Sequence, residues 1–162
     1  MDLQTQQAMD YYRKTVLIDP TAENAWLGGV RLLLQTEEYE KALGVVSQAH
    51  ETLPNSGRIA HALAKILAAG PDRSLRDGPR ALPLALTVFQ ADPSAGHART
   101  VAMAYAESGE CDEASKWQQR AMESLGSVDE GVKTRLQAEL SHYESGEPCQ
   151  YEAPAEDTTA GR

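Results

Sequence analysis

Apolar and small residues recur at helical spacing along most of the chain, and three of these runs close on a proline. They read VLIDP at Pro20, HETLP at Pro54 and FQADP at Pro93. Proline just beyond a helix is a common stop signal, because it cannot continue the backbone ladder. Pro20 and Pro54 are 34 residues apart, and Pro54 and Pro93 are 39 apart, which is 34 plus 5. Ala8, Ala42 and Ala81 each stand twelve residues before their proline, and Ala114 takes the corresponding place in a fourth segment. Seven residues after each comes another small or β-branched residue: Thr15, Ala49, Val88 and Ala121. Seven residues make two helical turns, so each pair shares one face, where small side chains admit a neighbouring helix. The pattern predicts helices at about 4–18, 22–35, 39–52, 56–69, 79–91, 95–108, 111–124 and 129–145.

The extra five residues fall within AAGPDRSLRDGPRALPL, between Ala68 and Leu84. Fourteen residues separate Leu67 from Ala81, against nine from Leu33 to Ala42, so the turn inside this unit is enlarged. Asp77 is a natural N-cap, with Gly78 and Pro79 in the first helical turn, and Asp72 can cap locally after Pro71. Pro83 lies inside the expected helix, and irregularity is expected up to it. The stretch lacks the glycine spacing and lysine of a phosphate-binding loop. The last predicted helix places Val132, Leu136, Leu140 and Tyr143 on one stripe, which suits a cap on an open array. From Glu147 onward, EPCQYEAPAEDTTAGR has little to bury and is expected to be mobile. The expected organisation is a helical repeat domain over 1–146 and an acidic tail over 147–162.

Composition narrows the function. The chain has 162 residues, a single Phe and a net charge of −9. That charge argues against nucleic acid, whose general affinity rests on Lys and Arg neutralising phosphates. No apolar run approaches the ~20 residues of a membrane span, and no signal peptide is present as written. The expected location is soluble: cytoplasmic if the chain is complete, periplasmic if it is a fragment of a secreted protein. No catalytic constellation, metal site or cofactor is visible. His50, His61, His97 and His142 are scattered without the i, i+4 pairing of a helical metal site. Cys111 and Cys149 lack zinc-site spacing. Two free thiols are the first reading, because a bond requires Cα atoms within ~7 Å. The other is a disulfide that tethers the tail in an oxidising compartment.

The joint register of these positions resembles the tetratricopeptide repeat family, whose unit is a 34-residue helix–turn–helix. The best match runs from Glu23 to Ser56, with Trp26, Leu33, Tyr39, Ala42, Val46, Ala49 and Pro54 at the family's spacings. A second unit, from about Gly57 to Pro93, keeps Leu63, Leu67, Ala81 and Pro93. A third, from about Ala95 to Gly126, keeps Val101, Ala102, Tyr105, Gly109, Ala114 and Ala121. Gly29-Val30 replaces the usual Leu-Gly, and Cys111 stands where an aromatic residue is usual. The enlarged turn resembles a segment seen in bacterial members. The resemblance implies an all-α fold: a right-handed superhelical solenoid of antiparallel helix pairs with a C-terminal capping helix.

The first helix of each repeat lines the concave face, where such proteins hold extended peptides or partner helices. In that register the inward residues include Asn24, Leu27, Arg31 and Leu34, then Arg58, His61 and Lys65, then Gly96, Arg99, Met103 and Glu107. A surplus of bases in an acidic chain points to an acidic ligand, with Asn24, Arg31, Arg58, His61, Lys65 and Arg99 as the candidate binding residues. The alternative is that Arg and Lys simply keep these helices soluble. The carboxylate clamp of chaperone-tail receptors is absent, since Leu27, Ala62, Gly96 and Thr100 occupy most of its places. The expected function is a non-enzymatic module that binds a protein or peptide. The alternative is the helical accessory part of an enzyme whose catalytic domain lies upstream. The chain starts at what resembles the second helix of a repeat. Its first helix, through Tyr11, Tyr12 or Val16, is therefore expected to need cover from an upstream segment or from a second copy.

Overall fold

The structure is a computed structural model that describes residues 3–126, 129–146 and 149–150. Eight α-helices occupy the described residues: α1 (Leu3–Ile18), α2 (Glu23–Gln35), α3 (Tyr39–Thr52), α4 (Gly57–Ala69), α5 (Gly78–Ala91), α6 (Ala95–Glu107), α7 (Cys111–Glu123) and α8 (Glu130–Glu144). Each agrees with its expected position to within one residue at either end. A 3-10 turn (Arg73–Leu75) stands between α4 and α5. Consecutive helices pack on one another, and α2, α4 and α6 also touch in succession. That alternation makes a helical solenoid: α2, α4 and α6 form one row, and α1, α3, α5 and α7 form the other.

The small residues in register with the prolines explain this packing. Ala42, Ala49, Ala81, Ala114 and Ala121 are all buried, where a larger side chain would hold the rows apart. Larger apolar groups fill the space between rows. Trp26, Val30, Val46, Ile59, Leu63 and Leu67 share one cluster, and Phe89 and Val101 anchor the next. The Trp26 indole donates to the Pro20 carbonyl at 2.9 Å, so its one polar atom is satisfied while its rings pack inside.

Local chemistry sets the helix starts. The Ser56, Asp77 and Ser94 side chains accept from the backbone N–H groups of Ile59, Arg80 and His97, capping α4, α5 and α6. Asp72 likewise caps the 3-10 turn by accepting from Ser74 N–H at 2.9 Å. The helix α5 runs unbroken through Pro83, contrary to the expected irregularity. Pro83 is the sixth residue of α5, past the first turn, so the helix continues there with one backbone hydrogen bond fewer.

The enlarged turn is pinned at both ends. Its Asp77 N–H donates to the Leu67 carbonyl at 2.8 Å. Arg76 donates from Nε to the Gly70 carbonyl at 2.7 Å and reaches Glu107 on α6 through Nη1 at 3.4 Å. Only 3% of the Arg76 side chain is exposed. The turn is therefore a clamp between two repeats.

The first helix departs from expectation in which face it bares. Tyr12 packs its ring over Gly28, and Val16 joins the core cluster. Tyr11 is exposed as expected, and the other exposed apolar groups are Leu3, Leu17 and Ile18, the last two at 81% and 86%. The proposed 147–162 tail falls largely outside the described residues. Within it, Cys149 is buried among Ala102, Ala106, Ala114 and Tyr143. It is bonded to Cys111, with Cα atoms 5.7 Å apart, where the first reading of the sequence had two thiols. Helix α7 packs on both α6 and α8, and Tyr143 shares a cluster with Ala102, Ala106 and Ala114, which brings Cys149 within bonding reach of the start of α7.

Candidate functional site

The repeat places equivalent residues of α2, α4 and α6 at matching levels, 34 and then 39 residues apart. Asn24, Arg58 and His97 share one level, Leu27, His61 and Thr100 the next, and Arg31, Lys65 and Ala104 the third. Hydrogen bonds follow these levels. Arg58 Nη1 donates to Asn24 Oδ1 at 2.9 Å and lies 3.0 Å from Glu23 Oε1. His61 Nε2 and Thr100 Oγ1 are 2.9 Å apart.

Between α2 and α4 lies a cleft of about 260 Å³, floored by Leu27, Val30, Leu34, Ala62 and Ile66 and edged by Arg31, Arg58, His61 and Lys65. Arg31 and Lys65 are exposed and have no ion pair among the described residues. Arg58 is partly neutralised by Glu23. Four of the six candidate residues therefore edge one cleft, and Asn24 holds Arg58 beside it.

Arg99 is placed elsewhere. It binds Glu139 on α8 with two hydrogen bonds, Nε to Oε2 at 2.7 Å and Nη2 to Oε1 at 2.5 Å. Glu139 is buried and also accepts from Gln118 Nε2 at 3.1 Å. A single basic strip running from Arg31 through Arg99 is thus not what the structure forms. The level arithmetic explains why: Arg99 corresponds to Ala60 and Trp26, which face the interior, and not to Arg31 or Lys65. Its partner is on the capping helix, and spacing within the repeats holds no sign of it.

The two histidines at the cleft's α6 side are scattered in sequence but meet in space. Their rings stand edge to face with centroids 4.5 Å apart. Thr100 donates its hydroxyl proton to the Gly96 carbonyl at 3.1 Å, so it accepts from His61 Nε2–H. His97 Nδ1 lies 2.7 Å from the Asp92 carbonyl, to which it donates. Burial first, then the nearby His97 and Lys65, push His61 down from 6.5 to about 4. His61 is therefore neutral in the folded chain at pH 7. Among the described residues no group of His, Cys, Asp and Glu is arranged to hold a metal ion.

The lowered His61 value has a stability consequence with a definite sign. The unfolded chain takes up the proton near pH 6.5 and the folded chain only near 4, so acid favours unfolding within that window. The contribution is complete above pH 6.5 and is lost as pH falls towards 4. Because the ring is only partly buried, solvent screening reduces it to roughly 1–2 kcal/mol. Denaturant titrations at pH 7 and pH 4.5 should show this loss, and His61→Gln, which keeps a donor but cannot charge, should show a smaller one. Equal losses in both proteins would remove His61 as the cause.

The comparisons agree with the repeat levels. A family profile, tetratricopeptide repeat, matches residues 4–66. That match covers α1 to α4, the first part of the solenoid. YrrB, a tetratricopeptide repeat protein with an unusual peptide-binding site, has a solved structure similar to this one. The TM-score is 0.65 at 18% identity, over 90% of this chain and 72% of that one. At that identity the likeness concerns the fold: α2–α3, α4–α5 and α6–α7 are tetratricopeptide-like helix pairs, and the solenoid continues beyond the residues that the profile matches. No curated protein gives a sequence match. No helix among the described residues is long and apolar enough to cross a membrane.

Proposed function

We propose that this chain is a non-enzymatic interaction module whose α2–α4 cleft takes a peptide or partner segment rich in carboxylates. The observation that carries this reading is the cleft itself, an apolar floor edged by Arg31 and Lys65, two exposed cations without ion pairs among the described residues. In a chain of net charge −9, cations gathered at one apolar cleft favour an acidic ligand over a neutral one. Tetratricopeptide repeats and the peptide-binding description of YrrB support the general class of ligand. The Cys111–Cys149 bond supports an oxidising compartment, in line with the periplasmic alternative.

A fluorescein-labelled peptide of alternating Glu-Glu-Leu units is a suitable probe. Exposed charge pairs contribute about 0.2–1 kcal/mol each, so its affinity should be modest and should fall as salt rises. Reversing both charges, Arg31→Glu with Lys65→Glu, should weaken it about tenfold while the melting temperature stays nearly unchanged. Binding that is indifferent to both salt and charge reversal would overturn the acidic-ligand reading.

A further inference from the structure

A second groove, outside the α2–α4 cleft, lies between α1 and α3, over α2. It encloses about 740 Å³. Tyr12 and Val16 of α1, Ala25 and Trp26 of α2, and Val45 and Gln48 of α3 line it.

The repeat shows what such an interval looks like when filled. Between α5 and α7, over α6, the equivalent space holds Phe89, Trp117 and Arg120. The two rings meet edge to face with centroids 5.0 Å apart. The Arg120 guanidinium sits 4.7 Å from the Phe89 centroid and 5.0 Å from that of Trp117. Phe89 is four residues before Pro93, as Val16 is before Pro20. Trp117 and Arg120 are three and six residues after Ala114, as Val45 and Gln48 are after Ala42. The first interval therefore has two valines and a glutamine where the third has two aromatics and an arginine. All three of these smaller residues line the groove.

Charge restricts what enters. Arg13 and Lys41 stand at the groove, and none of its lining residues carries a carboxylate. Lys41 pairs with Glu38, while Arg13 has no ion pair among the described residues. A second copy of this chain would bring another net charge of −9 against the first.

We propose that the groove between α1 and α3 is a docking site for a partner protein segment that inserts an aromatic side chain, flanked by carboxylates, over Trp26. The inserted ring takes the place that Phe89 and Trp117 take in the third interval, and the flanking carboxylates meet Arg13 and Lys41. This site is separate from the α2–α4 cleft, with which it shares no lining residue.

The test uses the full chain, labelled with ¹⁵N, and the peptide acetyl-Asp-Glu-Phe-Leu-Glu-Asp-amide. The indole resonance of Trp26 should move on titration while that of Trp117 stays in place. A peptide with Ser in place of Phe, or with Lys in place of the acids, should bind about tenfold more weakly or worse. Transplanting the filled interval, Val16→Phe with Val45→Trp and Gln48→Arg, should abolish the Trp26 response, and so should Val16→Phe alone if the triple variant fails to fold. Arg31→Glu with Lys65→Glu should leave the response intact, which separates this site from the cleft. A Trp26 resonance that ignores all three peptides, or a response that survives the filled groove, overturns the proposal. A Trp26 signal that shifts with protein concentration alone assigns the groove to a second copy and also overturns it.

Discussion

Replacing Gly78 with alanine should lower the free energy of unfolding by about 3 kcal/mol or more, the largest effect expected of any single methyl group added to this fold. Gly78 is the first residue of α5 and is buried against the end of α6. A Cβ built there would lie 2.5 Å from Ser108 Oγ, 2.6 Å from Ser108 N and 2.8 Å from Glu107 C. Two of those atoms are backbone, so no rotamer change relieves the clash, and α5 would have to move off α6. The surroundings resist that movement, because Arg76 and Asp77 tie the same turn to Gly70, Leu67 and Glu107. Gly44 in α3 is the control, since a Cβ there meets nothing within 4 Å. Gly44→Ala should stabilise by about 0.5–1 kcal/mol, the ordinary gain from removing a helical glycine. Equilibrium urea denaturation of both variants checks the pair, and equal stability of Gly78→Ala and the parent chain would refute the close approach.

Breaking the Cys111–Cys149 bond should cost about 2–4 kcal/mol. The bond spans 38 residues that include all of α7 and α8, so its loss frees a long loop in the unfolded chain. Cys149 is only 1% exposed, and His142 Nε2 donates to the Gln150 carbonyl at 3.0 Å beside it. Cys111→Ser is the cleaner variant, because it removes the bond without placing a hydroxyl among the apolar residues around Cys149. Its urea midpoint should match that of the reduced parent chain and lie well below that of the oxidised one. A parent chain whose midpoint ignores reductant would show that the bond contributes nothing. Reduction should also expose Ala102, Ala106 and Tyr143, so thiol labelling and proteolysis near the last helix should speed up together.

Helix number, limits and pairing were legible along the chain because each rests on local chemistry. Prolines stop α1, α3 and α5, Ser and Asp caps start α4, α5 and α6, and alanines seven residues apart mark the faces along which helices approach. Repetition multiplied each weak signal, since a proline or an alanine recurring in register constrains every unit at once. The cleft residues Arg31, His61 and Lys65 were legible for the same reason, as positions on the first helix of a repeat. What tertiary structure alone decided were the contacts between residues that no repeat relates. Arg99 is claimed by Glu139 forty residues away, Arg76 by Glu107 of the next unit, and Cys149 by Cys111. Each joins a repeat to the capping helix, to an enlarged turn or to the residues after the last helix, where periodicity ends and sequence spacing no longer measures distance. The open interval over Trp26 belongs to both kinds: its small residues can be read in the sequence, but only the filled interval at Phe89 and Trp117 shows that their smallness leaves a groove.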